Sequence, residues 1–283
     1  MIREETFYYL SLISYYNVKK VGTSLSKLCQ MIVKDEEVLR QAEEIDDAKG
    51  NLEMIKRIPL ENYRSMYLVS CFDDNKNSGV VYDIYENEEA LFVAFRGSEI
   101  LDEQYHTTGW QDWMDNFEMF LDGPTWQQLL SLHQLEKESL HKPFYLCGHS
   151  KGGNIALYCA LCMKEENLDK LAGVYAFNAP GITKSILEVY KDRAKDPLFL
   201  EKAAYFLKMK NDCISSFFEH LKEPILLKSS SPCRNIEELY RSHQLYTLNF
   251  VNNGYVIAEK KSAVPILMYH FINDFLSIRK KRN

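Results

Sequence analysis

The residues best suited to chemistry are a serine between glycines, Gly148-His149-Ser150-Lys151-Gly152. A serine hydroxyl attacks well only if a base takes its proton and fixed dipoles meet the oxyanion that its attack creates. The pentapeptide is built for the second requirement. An apolar run of strand length, Pro143 to Cys147, enters it, and apolar residues at helical spacing, from Ile155 to Ala160, leave it, so Ser150 stands where a strand turns sharply into a helix. A turn that tight strains the serine backbone. It also presses the residues two before and two after the serine against neighbouring main chain, which accounts for Gly148 and Gly152. The free N–H groups that open the helix, Lys151 first, point at the same place with the positive end of the helix dipole. The chemistry implied is nucleophilic acyl transfer.

The base and its orienting acid must come from elsewhere in the chain. For a serine on a strand–turn–helix elbow the expected chain order is serine, acid, histidine. Of the many carboxylates after Ser150, Asp212 directly follows a strand pattern, Tyr205 to Lys210. The histidines beyond it are His220, His243 and His270. His220 is close to Asp212, in a stretch that reads as a helix from Ser215 or Ser216, and His270 lies in a helical pattern from Pro265 to Ile278. His243 stands before a last hairpin (Leu245 to Phe250, turn at Asn252-Asn253-Gly254, Tyr255 to Ala258) and is the expected general base, with Asp212 setting its tautomer. A second oxyanion donor is expected in the loop after an early strand, and Leu91 to Phe95 runs into Arg96-Gly97-Ser98. The Ser98 N–H, helped by its hydroxyl, fills that place.

These residues need a scaffold that brings strand ends together. Residues 1 to about 60 read as helical, with Thr23-Ser24 capping a helix through Leu25, Leu28, Met31 and Ile32 toward Val38 and Leu39. This segment is expected to pack on the sheet without chemistry of its own. Strand patterns follow at Tyr67 to Phe72, Val80 to Tyr85 and Leu91 to Phe95, the latter two joined by the turn Glu86-Asn87-Glu88-Glu89. Trp110, Trp113, Phe117 and Phe120 share a helical face, read as a buried amphipathic helix or as a lid or acyl-chain wall. A helix from about Thr125 to Leu140 feeds the elbow strand, and Leu171 to Phe177 is a further strand. Alternating strands and helices from Tyr145 imply a mostly parallel sheet with helices on both faces, ligands binding at the carboxyl ends of the strands. Ser98, Ser150 and Asp212 all fall at such ends. The chain is expected to form one domain over 1–283, with a helical segment over 1–60, a catalytic core over 65–260 and a C-terminal helix over 264–283.

With 46% hydrophobic and 26% charged residues and a formal net charge of −6, the composition is that of a soluble globular protein with no electrostatic footprint for nucleic acid. The basic cluster Arg279-Lys280-Lys281-Arg282 reads as a solvated helix end. An acidic start, Met1-Ile2-Arg3-Glu4-Glu5, and the lack of a long apolar run point to a cytoplasmic protein with no stable membrane span, transient contact with a membrane surface remaining open. The seven cysteines suit reduced thiols, and Cys159 and Cys162, inside a helix without a second pair, do not suit zinc. No metal and no organic cofactor are expected.

Phe95-Arg96-Gly97-Ser98, the Gly109-Trp110 to Asp115-Asn116-Phe117 segment, Gly148 to Asn154, Phe177 to Gly181, Asn211-Asp212 and Ser242-His243 together resemble a bacterial family of uncharacterised α/β-hydrolases similar to class 3 lipases. The resemblance covers about residues 65 to 260. It implies an α/β-hydrolase fold with lid-like insertions, a Ser150-Asp212-His243 triad, an oxyanion hole from Ser98 and Lys151, and a small-molecule or lipid acyl ester as substrate. Three features depart from class 3 lipases. Lys151 replaces the usual apolar residue after the nucleophile, Ser98 replaces the commoner threonine, and the acidic first residues are not expected to act as a secretion signal. The Lys151 ammonium either answers an anionic substrate group, such as a lysophospholipid phosphate or a carboxylate, or faces solvent beside an acid. Thioesterases and peptidases use the same machinery, and a catalytically weak binding or regulatory module is the alternative reading.

Overall fold

The computed structural model describes residues 2–98, 123–203, 205–209, 211–231, 238, 241–251 and 254–259. Its centre is a seven-stranded sheet whose spatial order is the chain order: β1 (Tyr67–Asp74), β2 (Val80–Glu86), β3 (Leu91–Phe95), β4 (Phe144–His149), β5 (Leu171–Phe177), β6 (Tyr205–Met209) and β7 (Ile225–Leu227). Short turns join β1 to β2 and β2 to β3, which permits only antiparallel pairing, and β3 through β7 pair in parallel across longer connections. The sheet is therefore mixed, parallel in its larger part. β7 was not anticipated, because three residues are too few to show a period.

Strands laid down in order with right-handed crossovers send their connecting helices to one face. That face packs α5 (Trp126–Leu135), α6 (Lys151–Cys162) and residues of Lys184–Val189 and Pro197–Ala203 against Leu91, Val93, Phe95, Leu146 and Val174. The other face carries Phe92, Ala94, Cys147 and Phe177, and would be bare without the N-terminal helices α1 (Glu4–Ile13), α2 (Leu25–Ile32), α3 (Glu36–Glu44) and α4 (Asp46–Lys56). Helices thus lie on both faces, the layering of an α/β-hydrolase fold.

α1 is buried from Glu5 to Ile13, as a helix that is apolar all round must be. The Phe7 ring stacks on Tyr175 of β5 with centroids 3.7 Å apart and leans on Tyr145 and Phe92. The single helix expected from Ser24 to Leu39 is two. Ser24 caps α2, accepting from the Lys27 N–H, but Asp35 accepts from the Val38 N–H at 3.1 Å and so starts α3 afresh. Past α1 the chain is tied into the sheet by buried polar groups. Arg96, wholly enclosed beyond β3, donates from Nε to the Ser14 carbonyl at 2.7 Å and from Nη2 to Asn17 Oδ1 at 2.8 Å. Lys19 pairs with buried Asp83 of β2 at 2.8 Å. Burial raises the Asp83 carboxyl above its ordinary range, and the Lys19 ammonium opposes that rise.

Other differences from expectation are local. α5 ends at Leu135 rather than Leu140, and His220 follows a single 3₁₀ turn, Ile214–Ser216, rather than lying in a helix. The last hairpin is reduced to β8 (Phe250–Val251) and β9 (Gly254–Tyr255), Leu245–Thr247 forming a 3₁₀ turn. The aromatic segment 109–120, the turn residues Asn252 and Asn253, the C-terminal helix and the basic tail lie outside the described residues. No described helix is long and apolar enough to cross a membrane.

Phe7→Ala should cost about 3–5 kcal/mol of folding stability, because it opens a cavity between α1 and the sheet. Urea unfolding followed by circular dichroism measures this as a lowered midpoint at unchanged slope.

Candidate active site

Ser150 closes β4 and precedes the first residue of α6, with φ 56° and ψ −126°. A side-chain-bearing residue rarely adopts positive φ, and this one is held there from both sides. Its N–H donates to the Phe177 carbonyl on β5 at 2.9 Å, and its own carbonyl accepts from the Asn154 N–H at 3.1 Å. A Cβ on Gly148 would collide with the Gly152 main chain, and one on Gly152 with the Phe95 carbonyl of β3. The turn is thus wedged between two strands and its own helix.

Asp212 follows β6 and is fully buried. Its Oδ1 accepts from the Ile214 N–H at 3.0 Å, its Oδ2 accepts from the Ser215 N–H at 3.1 Å, and His243 Nδ1 lies 2.9 Å from Oδ1. A carboxylate accepts, so Nδ1 carries the hydrogen and Nε2 is the basic nitrogen of the neutral ring. His243, 2% exposed, is placed by its main chain: its carbonyl accepts from His149 Nε2 and from Asn178 Nδ2, each at 2.8 Å. His149 adjoins Ser150, and its ring centroid lies 4.8 Å from that of His243. The structure therefore joins Asp212 to His243 directly and brings His243 to the elbow through His149.

The remaining sequence-derived residues flank this cluster. Phe95 of β3 pairs in register with Gly148 of β4, so half-buried Ser98 leaves the sheet one strand away from the elbow. The Lys151 side chain runs to the β1–β2 turn, its Nζ 3.9 Å from where a Cβ on Gly79 would sit. Among the described residues, no group of three or more His, Cys, Asp or Glu is placed to hold a metal ion.

Three residues at this site carry a role that the sequence did not indicate. His149 occupies a position that the G-x-S-x-G pattern leaves open. Asn178 has φ 47°, which asparagine tolerates, and bridges three segments by accepting from the Met209 N–H at 2.8 Å while donating to His243. Tyr15 lies 134 positions before His149 in the chain and donates its hydroxyl to His149 Nδ1 at 2.8 Å. The N-terminal segment, expected to contribute no chemistry, therefore reaches the residue beside Ser150. α1 also holds the histidine loop, the Tyr8 hydroxyl donating to the Leu245 carbonyl at 3.0 Å. Ser242 Oγ donates to the Asn211 carbonyl at 2.9 Å, which fixes the loop from the β6 side.

Residues 56–281 match the family described as Mbeg1-like, leaving α1, α2, α3 and all but the last residue of α4 outside the match. No curated protein matches the chain. Solved structures similar to it include the mono- and diacylglycerol lipase from Aspergillus oryzae, at 15% identity and TM-score 0.48 over 82% of each chain. Another is M37 lipase, at 14% identity and TM-score 0.47 over 86% of this chain and 91% of that one. A third is a mutant MDLA from Penicillium cyclopium, at 13% identity and TM-score 0.41 over 82% and 83%. At these levels of identity and fit the likenesses carry no argument about function.

Burial, reinforced by the neighbouring His243, lowers the His149 pKa to about 3. An unfolded histidine takes up its proton near pH 6.5, so between about pH 6.5 and 3 the unfolded chain binds one proton more than the folded chain at this position. Stability should therefore fall as pH falls through that window, by about 1.4 kcal/mol per unit. Between pH 6.5 and 5, wild type should lose about 2 kcal/mol more than His149→Gln in urea titrations, and parallel losses would show that His149 is not held neutral.

Proposed function

The chain belongs to the Mbeg1-like family, and we propose that it is a serine hydrolase that cleaves an acyl ester of a small molecule or lipid through an acyl-enzyme. The observation that carries this reading is the 2.9 Å contact between Asp212 and His243, at a histidine whose main chain is pinned beside a strained serine at a strand end. A buried carboxylate already holding two main-chain N–H groups orients an imidazole and balances the charge that it acquires.

In the proposed reaction His243 Nε2 takes the Ser150 proton as Oγ attacks the ester carbonyl. The bond to the alcohol oxygen then breaks, and the imidazolium returns the proton to the departing alcohol. Water, deprotonated by the same nitrogen, attacks the acyl-enzyme and releases a carboxylic acid and free Ser150. The main-chain N–H groups of Lys151 and Ser98 hold the tetrahedral oxyanion, each lowering the barrier by on the order of 3 kcal/mol. Gly148 and Gly152 serve the turn that aims Ser150. The cycle balances with ester and water alone.

Intact-mass detection of fluorophosphonate labelling tests the assignment without knowledge of the ester. Wild type should take up one label and Ser150→Ala none, while His243→Ala and Asp212→Asn should be slowed by about 10³- to 10⁴-fold. Labelling of Ser150→Ala at the wild-type rate would overturn the nucleophile. A folded wild type that takes no label would favour a binding module over an enzyme.

A further inference from the structure

A cavity of about 480 Å³ lies between the N-terminal helices and the histidine loop, within the range of roughly 300–1,000 Å³ usual for small-molecule sites. Leu12, Val18, Met31 and Val38 supply apolar wall, and His149 and Gln244 close it on the side of the sheet. Ser150, Asp212 and His243 are not among the described residues that line it. Gln244, 2% exposed, and Asn51 of α4 both line the cavity, and each carries a buried amide atom without a hydrogen-bond partner among the described residues: Nε2 of Gln244 and Oδ1 of Asn51. A buried donor and a buried acceptor left unmet cost about 1–3 kcal/mol each, a cost that a ligand or water in the cavity would remove.

We propose that this cavity is a binding site, separate from Ser150, for an uncharged or cationic small organic molecule that offers one acceptor to Gln244 and one donor to Asn51. Charge sets the class. The ammonium on the described wall, Lys19, is already engaged by Asp83, and Glu37 is paired with Arg40 at 2.7 Å. Asp35 and Asp47 instead accept from the Val38 N–H and the Tyr246 hydroxyl, and so keep their negative charge beside the space. An anion entering it would meet those carboxylates with no uncommitted cation on the described wall, and repulsion of that kind excludes a ligand as effectively as contacts select one. Most of the wall comes from residues before 56, outside the part of the chain that matches the family, so the site is a feature of this chain's N-terminal layer. An occupant would touch His149 and Gln244, the chain neighbours of Ser150 and His243.

Three probes sharing one amide test this by calorimetric titration of the full chain: benzamide, its para-aminomethyl derivative and its para-carboxylate derivative. Saturable binding of the first two is expected, with the carboxylate weaker by about tenfold or more. Asn51→Leu should weaken benzamide by about 3- to 10-fold, the value of one hydrogen bond. Ala48→Phe, which fills the cavity, should abolish binding, and if that variant does not fold Asn51→Leu decides alone. Ser150→Ala should bind as wild type does, which separates this site from the serine hydrolase reading. Failure of all three probes to bind would mean a cavity satisfied by water alone and would overturn the proposal. Equal binding of the carboxylate would overturn it too, as would wild-type affinity in Asn51→Leu.

Discussion

The placement of the Asp212–His243 pair beside the Ser150 elbow depends on one acceptor, the main-chain carbonyl of His243. Two side chains donate to it at 2.8 Å, His149 from the end of β4 and Asn178 from the end of β5. Because they hold the backbone rather than the ring, the imidazole remains committed to Asp212, which comes from the end of β6. Three neighbouring parallel strands thus each deliver one group to the same edge of the sheet, where open α/β sheets characteristically bind ligands.

This clamp requires a buried neutral histidine, and the N-terminal layer meets that requirement. Sequential strand order leaves one sheet face without crossover helices, and α1 covers it with a nearly continuous apolar surface. The cover desolvates His149, which disfavours its charged form. The Tyr15 hydroxyl then supplies the hydrogen bond that Nδ1 would otherwise lack, while Nε2 serves His243. Both ring nitrogens are satisfied without charge, so the polar group can remain inside. The same layer is fastened at its far end by Arg96 and Asp83, whose partners Ser14, Asn17 and Lys19 all fall within seven residues of the end of α1. A helix that reads as plain cover is therefore also the support of the histidine loop, through Tyr8 and Leu245.

Much of the architecture is legible in the chain. Short apolar runs of strand length mark β1 to β6, and the glycines around Ser150 mark a tight turn: a Cβ on Gly148 would collide with Gly152, four residues on, and one on Gly152 with the Phe95 carbonyl of β3. Chain order and a strand end single out Asp212, and elimination among histidines points to His243. Where the reading failed, local signals competed or were too short. Asp35 interrupts an apolar period that continues from α2 into α3, and β7 has three residues. The first arm of the expected C-terminal hairpin begins with a 3₁₀ turn, Leu245–Thr247, and its ladder with the second arm starts at Phe250.

The strand-to-helix elbow, the strand and helix patterns and the residue types available for acyl transfer are written in short stretches of chain, since local periodicity and turn chemistry carry them. That Tyr15 meets His149, that Asn178 joins β5 to β6 and the histidine loop, and that a cavity opens beneath α3 and α4 come from the packing of distant segments. These contacts span large sequence separations, and the one that places the histidine loop, from Asn178 to His243, ends on a main-chain carbonyl. Every residue carries a carbonyl, so no residue type announces which one will be used, and the choice awaits the packing of the layers.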